Sequence, residues 1–517
     1  MTTYFLEFMR SDLEAKDQVN VSHRVRKIDA AYRYYMDDRV NKNADYLLKL
    51  QEELALRQKA LAAGEAKPIV AVKHPKGVRP VIADGGFKVA GRELLLIGPD
   101  TWTNVKGWRN ADVDVIAATG MNQLDVFYIG GTNYADVVRR CEKGGLYCVW
   151  GSAADTDEDL LAPRPEWSEE KQNAYRNGMG YSRGSLVPTN PSPNFVFQVS
   201  FPEQWTRTRE ATEAWAETFR AHLKEKFGSL TALNAALGSS YPAWSNITFG
   251  AALADPPLKY ESFVYRMKTN MARDIPQQRW IARRFGLPRS THYSTHYNLA
   301  GLDPLVTLAD FEALWSMFDI VGFDGGFGLE GSEWAFDFPK GGFELDFARS
   351  VCPEKPVANN ENHIGGDGMY AERTSAEIYL SNMLAFLLGQ NSSSVWDWAN
   401  TRHTYGEYVF TRAHMYHEMV RCALDIRCHA EEIGAFRHAP NPPFRILHSL
   451  PSLAERDPYV RSLYGLYGAT SFTGWATRFI TERHLAKGDF KGAQVIVVPD
   501  ARRVSGTTFK ALETFAR

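Results

Sequence analysis

Eight short β-like runs, each separated from the next by a segment of helical composition, govern what this 517-residue chain can fold into. They lie at 94–97, 124–128, 146–150, 195–200, 289–293, 320–323, 356–359 and 394–396. Segments such as 209–226, 263–285 and 375–388 carry few turn residues and read as helices. Strand–helix alternation of this kind builds a parallel sheet, and eight units close it into a (β/α)8 TIM barrel. The spacing is uneven. An inserted helical hairpin separates the fourth and fifth runs, and a Pro/Gly-rich loop separates the third and fourth. Long insertions on these connections belong to the face of a barrel where chemistry is done.

The barrel spans 69–440. Before it, 1–68 reads as an N-terminal helical extension, because 22–63 lacks Gly and Pro and holds Leu47, Leu48, Leu50, Leu54 and Leu56 as an apolar stripe. A β-rich stretch at 69–89, with turns at HPKG and ADGG, leads into the first strand. After the barrel, 444–450 is strand-like, 460–485 helical, 494–499 a buried strand and 507–515 helical. This βαβα unit begins a second parallel-sheet domain over 441–517. Two units leave a sheet face unburied, so further sequence is expected to complete it.

In a barrel the reacting groups sit at the C-terminal ends of the strands. Glu203 follows the fourth run and Glu361 the seventh. Asp324 and Glu330 follow the sixth, and Asp397 and Trp398 the eighth. Two carboxylates facing one cavity suit glycoside hydrolysis: one protonates the leaving oxygen while the other attacks the anomeric carbon or activates water. Around them, Asn360 and His363 flank Glu361, and His292, His296 and Tyr297 follow the fifth strand. Trp102, Trp150, Trp205, Trp396 and Trp398 fall at strand ends where aromatic faces stack on sugars. His292 and His296 are four apart, but on a strand that spacing does not join two ligands, so no metal is expected. Gly326 to Gly331 spells GxGxxG without the helix that a dinucleotide site requires, so no cofactor is expected either.

Several of these places resemble a known group. The segments KFGSLTALNAALGSSYPAWSNI (226–247), GFKVAGRELLLIG (86–98), VWDWAN (395–400) and VIVVPDARRVSGTTFKALETFA (495–516) resemble clan A (β/α)8 glycoside hydrolases, and family 42, the β-galactosidases, most of all. The resemblance implies a flavodoxin-like second domain, Glu203 as acid/base and Glu361 as nucleophile. It further implies a retaining mechanism with carboxyls about 5–5.5 Å apart, and a trimer. It departs from the clan at Pro202, where Asn usually holds the sugar 2-hydroxyl. The three-Cys metal cluster of some members has no counterpart.

The function expected is thus a retaining, exo-acting β-glycosidase, β-galactosidase-like, on a β-linked oligosaccharide or glycoside. The alternatives are another β-glycosidase specificity, such as a β-mannosidase or a hydrolase of polysaccharide-derived oligosaccharides, and a non-catalytic carbohydrate-binding barrel. A metal-dependent hydrolase on the same barrel is a third reading. A formal net charge of −2 argues against a broad basic nucleic-acid surface or a polybasic membrane face. Five cysteines without a CxxC pair, and an N-terminus without an apolar leader, point to the cytoplasm.

Overall fold

The computed structural model describes residues 30–101, 110–126, 134–151, 192–200, 213–269, 286–292, 310–325, 338–364, 373–396, 398, 410, 412–437, 442–455, 458–474, 476–490 and 492–517. Three antiparallel strands come first: β1 (Val81–Ala83), β2 (Gly86–Val89) and β3 (Arg92–Leu94). The eight barrel strands follow: β4 (Leu96–Pro99), β5 (Gln123–Asp125), β6 (Tyr147–Gly151), β7 (Phe195–Ser200), β8 (Arg289–Thr291), β9 (Val321–Asp324), β10 (Val357–Asn362) and β11 (Ser392–Val395). All eight occupy, within a few residues, the runs read from the sequence.

Two parallel ladders, β5-β6-β7-β8 and β9-β10-β11-β4, make the barrel wall. A bridge between Ser290 and Ile320 joins β8 to β9, and the Asn122 amide donates to Ile97 O at 3.0 Å where β4 meets β5. The sheet therefore closes on itself, which leaves no free edge to aggregate. The leading hairpin plugs the N-terminal end. Phe87, Val89 and Leu94 are buried with Val149, Val196, Phe197 and Val199, and the Phe87 and Phe197 rings stack at 5.6 Å.

The outer helices pack their apolar faces on the strands. Val113, Ile116, Val137, Cys141, Ile378, Phe386, Met419 and Ile426 belong to one such cluster. The insertion between β7 and β8 has its own small core of Phe219, Leu223, Leu233, Ile247, Ala252 and Leu258. Ser229 caps the helix Leu230–Leu237 by accepting from the Ala232 amide.

One long helix, Ala30–Ala62, lies against the barrel. Its contact face differs from the leucine stripe expected. Leu48, Leu54 and Leu56 are exposed, whereas Arg39, Asn43 and Leu50 are buried and Tyr46 and Leu47 pack on the core. These residues recur at spacings of three and four, one face of a helix. Their contacts are largely polar. Asn43 Oδ1 accepts from the Ala413 amide at 2.8 Å, and Tyr46 meets His417 Nδ1 at 2.8 Å. Hydrophobic periodicity is blind to such a face.

The region after the barrel holds a three-stranded parallel sheet, with β12 (Phe444–His448) between β13 (Arg478–Thr481) and β14 (Val495–Val497). The strand β13 corrects the sequence reading, which took 460–485 as continuous helix. The helix Tyr459–Ser471 stops, Gly474 turns the chain at φ 74°, and Phe479 and Ile480 are buried in the sheet. Gly alone adopts that φ without cost, so it marks the break. The sheet docks on the barrel helix Phe338–Val351. The Tyr467 hydroxyl donates to Asp346 Oδ2 at 2.9 Å, Arg478 pairs with Asp346, and the Phe479 amide donates to Ser350 Oγ at 2.9 Å.

Among the described residues, no helix is long and apolar enough to cross a membrane.

Candidate active site

The centre of the site is Glu361, one residue before the end of β10. The strand bulges there: pairing with both neighbours shifts register between Asn359 and Asn362. A bulge re-aims the side chains that follow it. Asn359 pins this one. Its Oδ1 accepts from the Glu361 amide at 3.3 Å, and its Nδ2 donates to Gly325 O at 2.6 Å. The Glu361 side chain retains 17% exposure and so presents an edge to the cavity.

Two histidines hold it. His292, immediately after β8, places Nε2 2.8 Å from Glu361 Oε2. His363 places Nε2 3.1 Å from Glu361 Oε1 and 3.3 Å from Asp324 Oδ1, at the end of β9. The Trp396 ring, just after β11, lies 5.3 Å from the His363 ring. Burial alone pushes the Glu361 carboxyl up, but the hydrogen bonds and charges of His292 and His363 outweigh it and hold the pKa down at about 2. Each carboxylate oxygen has a second lone pair beyond the one engaged by histidine. The group is thus an ionised carboxylate whose orientation is fixed and whose reactive edge is free of protons at neutral pH.

This pKa has a direct consequence. The folded value lies below the ordinary 4.5, so Glu361 contributes stability above about pH 4.5 and loses it as pH falls toward 2. Changing His292 to Ala removes one charge-assisted hydrogen bond, of roughly 1.5–3 kcal/mol. The Glu361 carboxyl should then titrate about one unit or more higher. Carbon NMR of glutamate-labelled protein reads this, and an unmoved titration would show that His292 does not set it.

A second carboxyl, Asp125 at the end of β5, faces the barrel interior and was not singled out in the sequence. Burial pushes it up to about 7, against the opposing bonds from Ser394 and Gln123 and the charge of His292. Gln123 Nε2 donates to Asp125 Oδ1 at 2.9 Å and to Ser394 Oγ at 2.6 Å, while Ser392 Oγ donates to Gln123 Oε1 at 2.8 Å. Polar residues two apart on two strands, 123 and 125, 392 and 394, are the signal that could have found this network.

The structure brings together Glu361, His292, His363, Asp324 and Trp396. It places other expected site residues in the interior. Asn360 is fully buried and donates to Ser290 Oγ at 3.0 Å, tying β10 to β8. Trp150 is buried, and Trp398 is buried against Phe410 and Tyr416. Glu203, Trp102, Trp205, His296 and Tyr297 lie outside the described residues, as do Glu330, Asp397 and the glycine-rich loop at 326–331. Among the described residues one group has metal-ligand spacing. His292, Asp324 and Glu361 each offer an atom within 4.8 Å of the others. Within this group His292 and Glu361 meet directly at 2.8 Å, and His363 stands between Glu361 and Asp324.

No family model matches the chain, and no curated protein matches it by sequence. Solved structures do. An exo-carrageenase of glycoside hydrolase family 42 from Bacteroides ovatus aligns over 99% of this chain and 75% of its own, with TM-score 0.70 and 15% identity. A family 42 β-galactosidase from G. stearothermophilus aligns over 82% and 70%, with TM-score 0.59 and 17% identity. A β-galactosidase from the haloarchaeon Halorubrum lacusprofundi aligns over 79% and 70%, with TM-score 0.57 and 15% identity. The chain has the barrel fold of family 42 glycoside hydrolases. Identity this low establishes the fold and leaves the chemistry to the site.

Proposed function

We propose that the chain is a retaining, exo-acting β-glycosidase with Glu361 as nucleophile. The observation that carries the reading is the grip on Glu361: an ionised carboxylate at a barrel strand end, oriented by His292 and His363 beside Asp324 and Trp396. In the first step Glu361 attacks the anomeric carbon and the glycosidic bond breaks. Glu203, at the expected end of β7, gives its proton to the leaving oxygen. In the second step Glu203 takes a proton from water, and that water displaces Glu361 from the sugar. His292 and His363 keep the nucleophile aligned through both steps. The β-galactosidases and the exo-carrageenase of like fold support β-galactosides and galactan-derived oligosaccharides as the first substrates to test.

The test is a panel of nitrophenyl β-glycosides with proton NMR of the first-formed anomer. Release of the β-anomer supports the retaining route, and release of the α-anomer refutes it. A mechanism-based fluoro-sugar should label Glu361. Label on another carboxylate would remove Glu361 from the role. Trp396, standing against His363 and part-exposed, is the stacking platform. Base-stacking scale energies of about 1–3 kcal/mol for an aromatic platform imply a KM roughly 5- to 150-fold higher for Trp396→Ala. An unchanged KM would place the sugar elsewhere.

Pro202 favours a second reading, since the residue that clan members use for the 2-hydroxyl is absent. On that reading the barrel binds carbohydrate without cleaving it. Calorimetric binding of a sugar, with no hydrolysis over the whole panel, would select it.

A further inference from the structure

A cavity of about 890 Å³ opens at the N-terminal end of the barrel, on the far side from Glu361. Asn122, Leu146 and Asn194, which precede β5, β6 and β7, form its inner wall, and the segment 73–78 crosses over it. Its charges are one-sided. Lys73, Lys76, Lys143 and Arg427 line it, and among the described residues none of the four has a carboxylate partner. Lys76 Nζ donates to Lys143 O at 3.0 Å, and Arg427 donates to Gly120 O. Arg139 pairs with Asp136, and Glu142, the one lining carboxylate among the described residues, is engaged by Ser192. In a chain of net charge −2 this is a local excess of cations. Burial pushes the Arg427 guanidinium down. His74, pushed down by burial and by Arg92 and Arg427, has a buried Nδ1 with no partner.

The form of the cavity narrows what it takes. The helix Tyr134–Gly144 turns its C-terminal end to the cavity, through Glu142, Lys143 and Gly144. Carbonyl oxygens, not amides, face out there, which disfavours a compact phosphate held by backbone N–H groups. The cations instead come from three chain segments, Lys73 with Lys76, Lys143, and Arg427, and apolar Val78, Leu146, Tyr147 and Pro193 share the lining with them. Dispersed point charges around an apolar wall suit a ligand with several separated anionic groups on rings that present C–H faces.

We propose that this cavity is a binding site for a polyanionic oligosaccharide, bearing sulfate or carboxylate groups, separate from the Glu361 site. The probe is a short dextran sulfate, whose α-linked backbone no β-glycosidase cleaves, titrated by calorimetry into the full chain. Binding is expected, weakening steeply with salt. The combined variant Lys73→Glu, Lys76→Glu, Lys143→Glu should weaken it by about tenfold or more, while Glu361→Ala leaves it unchanged. All three lysines are exposed, so circular dichroism and glycoside turnover should match the wild type. The proposal falls if unsulfated dextran binds as tightly, if the triple variant binds like the wild type, or if inorganic phosphate binds more tightly than dextran sulfate. None of these outcomes bears on the role of Glu361.

Discussion

Glu361→Ala should lower kcat on an active β-glycoside by roughly 10⁴-fold or more, with the fold intact. A nucleophile acts as a unit with the groups that aim it, and its removal leaves only binding and acid catalysis behind. The substitution also removes an ionised group that His292 and His363 contact at 2.8 and 3.1 Å, so both histidines lose that contact while His363 keeps Asp324. Thermal stability at neutral pH is therefore expected to fall modestly, and that loss should vanish as pH drops toward 2, where the native carboxyl is itself protonated. Two further measurements separate a lost nucleophile from a merely disturbed site. Added azide should restore turnover by entering the space vacated by the carboxylate. The product should be an α-glycosyl azide, because a single displacement inverts the anomeric carbon. Full activity in Glu361→Ala, or a β-configured azide product, would end the nucleophile assignment. Glu361→Gln serves as the conservative partner: it fills the same volume and should be equally slow, since an amide oxygen does not make a stable glycosyl bond.

Much of this site was legible because the barrel rule converts strand ends into function. Once eight runs were placed, Glu361, His292, Asp324, His363 and Trp396 followed from their positions, and the structure gathers all five. What escaped has physical reasons. The bulge in β10 puts Asn360 inside the wall rather than toward substrate, and a register shift of that kind leaves no trace in composition. Trp150 and Trp398 sit at strand ends in the sequence, yet side chains there alternate between the barrel interior and the helical layer, and a misjudged parity sends a ring to the core. Asp125 went unremarked because a lone acid in a strand looks like a surface residue until its Gln123 and Ser394 partners are seen across the barrel. The strand β13 was hidden in helix-like composition, and the N-terminal helix docks through Arg39 and Asn43, which no hydrophobic pattern reports.

The same close approach of strands that builds the site makes Gly322→Ala a severely damaging single-methyl change in the barrel. Gly322 lies in β9, where a Cβ would stand 1.9 Å from Thr291 O, 2.2 Å from Ser290 Oγ and 2.6 Å from Asn360 Nδ2. The first of these is backbone of β8, which cannot swing aside. Its neighbours are already committed: the Gly322 amide donates to Thr291 Oγ1 at 3.1 Å, and Trp315 Nε1 donates to Gly322 O at 3.2 Å. Relieving the clash means separating β8 from β9 at the bridge between Ser290 and Ile320, one of the two seams that close the barrel. Overpacking a tight core costs about 1–3 kcal/mol, and more where backbone must move, so a loss of roughly 3 kcal/mol or more is expected. Urea unfolding reads it as a lower midpoint with an unchanged slope. The effect should reach the chemistry as well. His292 follows β8 directly and Asn360 precedes Glu361, so parting the strands lengthens the 2.8 Å contact that aligns the nucleophile. Folded Gly322→Ala is thus expected to lose activity beyond its loss of stability, and its Glu361 carboxyl should titrate above the native value. A variant with wild-type midpoint and wild-type turnover would mean that the seam is looser than these distances imply, and that His292 is held by something other than the strand before it.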